Sequence, residues 1–69
     1  MRTYFMSARE FLKIQTLIAH DPRFASAQVE YVPDRAACLS HTRITVGDRV
    51  ETFYILAHFY DFLINFRPA

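Results

Sequence analysis

From Ala8 onward, apolar residues recur at helical spacing. At ~100° per residue, Ala8, Phe11, Leu12, Ile14, Ile18 and Ala19 share one arc, while Arg9, Lys13, Thr16 and His20 lie opposite. Gln15 falls inside the apolar arc. Ser7-Ala8-Arg9-Glu10 has the form of a capping box, in which hydroxyl and carboxylate each accept from the other residue's backbone N–H, and Met6 and Phe11 stand where a hydrophobic staple needs them. Asp21-Pro22 should stop the helix near His20, because the residue before a proline avoids the α region.

The period changes after Phe24. Ala25, Ala27, Val29 and Tyr31 alternate with Ser26, Gln28 and Glu30 up to Val32, the pattern of a half-buried strand. Pro33-Asp34 then predicts a turn, and a second strand fits Ala36 to Val46. Pairing Val32 with Arg35 places Tyr31 opposite Ala36, Val29 opposite Cys38 and Ala27 opposite Ser40, with Thr42, Ile44 and Val46 on that same face. A slip of one residue would mix the two sets, so an even offset is required.

Val46-Gly47-Asp48-Arg49 is readable in two ways. Gly-Asp suits a two-residue hairpin, yet Asp48 with Glu51 three residues later also suits a helix start. Alternation fails across Phe53-Tyr54-Ile55-Leu56-Ala57, whereas Glu51, Tyr54, His58, Asp61 and Asn65 fall within about 80° on a wheel, which predicts a helix from Arg49 to about Phe66. With a short strand at Arg2 to Phe5, the expected fold is one α+β domain over residues 1–69, in the order (β)-α-β-β-α. An antiparallel hairpin would pack against two helices.

Composition narrows the function classes. Eight basic residues against seven acidic ones leave a net charge of +1 with neither sign gathered into a run, which disfavours nucleic acid and anionic membrane as partners. The apolar stretch Phe53 to Phe66 is shorter than a bilayer span and contains His58, Asp61 and Asn65. No membrane segment is expected. A single cysteine, Cys38, forbids an intrachain disulfide and, with an N-terminus unlike a signal peptide, fits the reducing cytoplasm. Chains this short bury little core, so a second subunit is the expected source of extra stability.

Candidate chemistry is sparse. Cys38 and His41 stand three apart on a strand and so point to opposite faces, which makes Cys38 a small buried hydrophobe and His41 a surface residue. His58 and Asp61, one helical turn apart, lack a second ligand pair, so no metal or other cofactor is expected. Gln15 is expected to satisfy itself against backbone, and the single Gly47 allows no glycine-rich phosphate loop.

The second helix carries the strongest signal, since it is apolar around nearly its whole circumference. Phe53, Leu56, Tyr60, Leu63 and Ile64 form the arc expected to meet the core. Ile55, Phe59, Phe62 and Phe66 form a separate line expected to meet a second copy of the chain. On the wetter face of the hairpin, Leu39, His41 and Arg43 are the expected contacts for an unidentified protein partner. Together these features predict a small non-enzymatic protein-binding regulator, inhibitor or adaptor, homodimeric and cytoplasmic. The competing expectation is a dimeric nucleic-acid-binding regulator using the hairpin and a rim of Arg23, Arg35, Arg43 and Arg49, with Tyr31 or Phe24 for stacking.

Overall fold

The computed structural model of the chain describes residues 6–33 and 39–67. Helix α1 spans Ala8–Ala19, a 3-10 turn spans Pro22–Phe24, and three strands follow: β1 Gln28–Val32, β2 His41–Val46 and β3 Arg49–Phe53. Helix α2, Leu56–Asn65, ends the order. The fold is α+β, with both helices on one face of an antiparallel sheet ordered β1-β2-β3. The expected strand at Arg2 to Phe5 lies outside the described residues.

The start of α1 forms as its sequence dictates. Ser7 Oγ accepts from the Glu10 N–H at 3.1 Å, and the Ser7 N–H donates to Glu10 Oε1 at 3.0 Å. Met6, just ahead, is fully buried and ties the helix to the sheet: its N–H donates to the Ser40 carbonyl, while Ser40 Oγ and the Tyr31 hydroxyl both donate to its own carbonyl. At the other end, His20 Nδ1–H donates to the Thr16 carbonyl at 2.9 Å. Only Ile14 and Ile18 of α1 are buried, with Phe11 packed beside them, so the contact band is narrower than the apolar arc and Leu12 is left exposed.

The sheet departs from expectation in two ways. Arg49–Phe53 is a strand, not the first turns of a helix, because Gly47 adopts φ +61° and turns the chain back after β2. No non-glycine residue among those described has positive φ, so Gly47-Asp48 turns in the II′ manner, whose twist matches a hairpin. Alternation of Arg49, Glu51 and Phe53 with Val50 and Thr52 fits this strand, and the failure of alternation at Tyr54-Ile55 marks its end. The helical wheel had merged two elements across that junction.

The second departure concerns register. Val32 pairs with His41, not Arg35, which sets Val29 opposite Ile44 and Tyr31 opposite Thr42. The offset is six residues, an even number, so the paired residues of β1 and β2 keep their expected faces. Alternation cannot tell such offsets apart, whereas the tight Gly47-Asp48 turn fixes β2 on β3 by pairing Val46 with Arg49 and Thr42 with Phe53. The β1–β2 connection is consequently longer than the tight turn expected at Pro33-Asp34; Asp34 itself lies outside the described residues.

The helix-bearing face of the sheet contributes Val29, Tyr31, Ile44 and Phe53 to a core completed by Met6, Ile14, Ile18, Phe24, Phe59 and Phe66. Phe11 stacks on Tyr31 at one end of the sheet, and Phe24 meets Phe66 at the other, so the two helices run in the same direction. The opposite face carries rows of side chains that follow the register: Gln28, Thr45 and Val50, then Glu30, Arg43 and Thr52.

Three buried positions are polar, Ser40, His41 and Thr42, and the first two have hydrogen-bond partners. Thr42 is fully buried, and its Oγ1 has no hydrogen-bond partner among the described residues. A buried hydroxyl without a partner costs roughly 1–3 kcal/mol. Thr42→Val keeps the shape and removes that cost, so it should raise stability by about 1 kcal/mol. An unchanged or lower urea midpoint would show that the hydroxyl is satisfied.

Candidate functional site

The densest polar constellation lies where the 3-10 turn meets the end of α2. Pro22 presets the turn, and Asp21 caps it by accepting the Arg23 N–H on Oδ1 at 3.0 Å. The Arg23 side chain folds back onto the same carboxylate, with Nη2 at 2.7 Å from Oδ2 and Nε at 3.1 Å from Oδ1. Its remaining reach goes across the fold: Nη1 donates to the Phe66 carbonyl at 2.9 Å and Nη2 to the Leu63 carbonyl at 3.0 Å. The guanidinium also lies over the rings of Phe24 and Phe66, and Arg49 lies over Phe66.

A cleft of about 300 Å³ opens beside this cluster, lined by Arg23, Val46, Gly47, Asp48, Arg49 and Phe66, with Ser26 at its side. Two guanidinium groups here invite an anion, but each already has an acid: Arg23 has Asp21 and Arg49 has Glu51 at 3.1 Å. Asp48 adds a further negative charge on the lining. The cluster therefore acts as a clamp that joins three segments of chain. A second hollow of about 280 Å³ lies between α1 and β1, lined largely by Ile18, Ala19, Phe24, Ala27 and Val29, with Gln15 exposed at its side.

The line expected to meet a second copy is not a free surface. Phe59 is 0% exposed and Phe66 5%, while Phe62 and Ile55 are half-buried. Phe59 and Phe62 pack on Phe53 with ring centroids 5.8 and 5.0 Å away, and Phe62 and Phe66 pack on Phe24. The reason is β3: as a strand it places Phe53 beneath α2 and sets which side of the helix faces the sheet. The arc assigned to the core is displaced in turn. Leu56 and Leu63 are half-buried, whereas Tyr60 and Ile64 are exposed.

On the hairpin, Leu39 and Arg43 are exposed as expected, but His41 is only 6% exposed. Its Nδ1–H donates to the Leu39 carbonyl at 2.8 Å and its ring packs on Tyr54. The accessible part of that expected partner surface thus reduces to Leu39 and Arg43. The arginine rim is also dispersed: Arg23 is held in the clamp, and Arg43 faces Glu30 at 3.9 Å. Arg35 and Cys38 lie outside the described residues. His58 and Asp61 are both exposed on α2, and no group of three or more His, Cys, Asp or Glu able to hold a metal occurs among the described residues.

The clamp escaped sequence reasoning. Asp21-Pro22-Arg23 carries a local signal, an acid capping a proline-led turn with an arginine two residues on, but the two carbonyls that Arg23 reaches are more than 35 residues away.

Two outcomes follow from this geometry. The hydrogen bonds and charge of Arg23 hold the Asp21 carboxyl below its ordinary value, against the weaker opposing effect of burial. A carboxyl depressed in the folded state contributes stability that is complete above its unfolded value of about 3.9 and is lost as pH falls through the folded value. Asp21→Asn should therefore lower stability at pH 7 and narrow its difference from the wild type below about pH 4. Parallel stability curves for the two proteins down to low pH would show that Asp21 is not coupled to folding.

Phe59→Glu should give an unfolded chain by circular dichroism, since a carboxylate cannot be desolvated in that position without a partner. A folded Phe59→Glu protein would place Phe59 at the surface.

Comparison of the chain with family models, with curated proteins and with solved structures finds no match.

Proposed function

We propose that this chain is a small protein-binding domain that self-associates and acts through protein contacts, in the manner of a regulator, inhibitor or adaptor, without catalysis. The supporting observation is the set of large apolar side chains that the completed core leaves in water. Ile64 is 72% exposed, Val50 59% and Leu12 57%, and Tyr60 stands one turn before Ile64 on α2. Single exposed apolar residues are ordinary on any protein. Here Tyr60 and Ile64 adjoin half-buried Leu56 and Leu63, which makes a continuous apolar strip along one side of α2.

The electrostatics favour a protein over a nucleic acid as the partner. Arg23, Arg43 and Arg49 each face a carboxylate, so they offer little unneutralised charge to a phosphate backbone. No helix among the described residues is long and apolar enough to cross a membrane. A cytoplasmic setting, in which a lone cysteine stays reduced, completes the proposal.

Light scattering coupled to size exclusion tests self-association directly. The expected result is a mass twice the 8.1 kDa of one chain at micromolar concentration. A mass of one chain throughout that range would overturn the homodimer.

A further inference from the structure

We infer that two copies of this chain join edge to edge through β3, in one particular register that makes a continuous six-stranded sheet. The inference rests on the self-association proposed above and names the surface responsible. β3 is an outer strand of the sheet, and no backbone hydrogen bond beyond its ladder with β2 involves Arg49–Phe53 among the described residues. A two-residue hairpin makes its closing pair, Val46 and Arg49, a hydrogen-bonded one, and such pairs alternate along an antiparallel ladder. Arg49, Glu51 and Phe53 therefore turn their N–H and C=O groups toward β2. Val50 and Thr52 turn theirs outward, to the free edge.

Only a few registers bring two such edges together, because outward groups must meet outward groups across a two-fold axis. With Glu51 opposite Glu51 of the second copy, like charges face each other, which is destabilising. With Thr52 opposite Thr52, Glu51 faces Phe53 and no charge is matched. With Val50 opposite Val50, Arg49 of each copy faces Glu51 of the other, giving two opposite-charge pairs on one side of the sheet. On the other side, the exposed Val50 side chains cover one another. This register alone satisfies both faces. Within one chain Arg49 and Glu51 already lie 3.1 Å apart, so across the axis the four charges form an alternating cluster. Two of the usual obstacles to pairing are missing from this edge: β3 contains no proline, and no bulge interrupts its ladder with β2.

Cysteine crosslinking reads the register. In a Cys38→Ser background, Val50→Cys should form a disulfide-linked dimer in oxidised glutathione, since directly opposed hydrogen-bonded residues have Cα atoms about 5.5 Å apart, within disulfide reach. Thr52→Cys should not crosslink, because the two Thr52 positions are offset by four residues, on the order of 13 Å. In the otherwise native chain, Arg49→Glu and Glu51→Arg should each weaken dimerisation by about tenfold, and the double exchange should restore it. The exchange guards against misreading a folding defect, since recovery requires a folded protein.

A wild-type dimer in which Val50→Cys fails to crosslink, or Thr52→Cys crosslinks instead, overturns this interface and leaves self-association standing. A dimer indifferent to the single substitutions Arg49→Glu and Glu51→Arg does the same. A monomeric wild type overturns both.

Discussion

Helix α2 has Ile55 as its N-cap, which makes no side-chain cap, and it carries no acid in its first turn and no base in its last. Its terminal carbonyls would be left to water and its dipole uncompensated at the negative end. Arg23 supplies what the helix lacks. Its planar fork reaches the Leu63 and Phe66 carbonyls at once, while Asp21 holds the other edge of the guanidinium. The acid and the base are two residues apart and the carbonyls lie at the far end of the chain, so the clamp is a local structure that fixes a distant one. Phe24, the next residue, is buried between Phe62 and Phe66, which places the apolar seal directly against the polar lock. The contact ties the end of α2 to the 3-10 turn beside the core.

The sheet has its own fixed point in Gly47. A positive φ there costs a glycine little, and it turns β2 into β3 within two residues. From that turn the β2–β3 register follows, and from the register the side of α2 that is buried. The N-terminal anchor works at the opposite end of the sheet, where Met6 exchanges hydrogen bonds with Ser40 while its side chain enters the core. Two ends are thus closed by polar contacts and the space between them is filled by aromatic rings. Thr42 is the exception, a hydroxyl in the middle of that apolar layer.

This arrangement bears on function through what it leaves uncovered. Among the described residues both helices lie on one face of a three-stranded sheet, and β3 offers an unpaired edge with Val50 as a bare side chain beside it. Arg23, Arg43 and Arg49 each face a carboxylate of a close neighbour, which leaves those three guanidinium groups locally neutralised.

Much of this was legible in the sequence, because it depends on neighbours along the chain. The capping box at Ser7 and Glu10, the end of α1 before Pro22 and the faces of the paired residues of β1 and β2 are local facts and appear as expected, although β1 begins at Gln28 and β2 at His41, later than the alternation from Phe24 and Ala36 suggests. The parity of a strand survives any even offset, so alternation determines the faces of β1 and β2 but not which residues pair. Three things were decided only by the tertiary structure. Arg49–Phe53 joined the sheet because a neighbouring strand was there to receive its hydrogen bonds, although the same residues continue a helical wheel convincingly. The aromatic line Phe59, Phe62 and Phe66 went inward because β3 and Phe24 lay beneath it, which periodicity, blind to what stands opposite, could not foresee. The partners of Arg23 were settled last and least predictably. A guanidinium fits any pair of carbonyls at the right spacing, and only folding determines which two arrive.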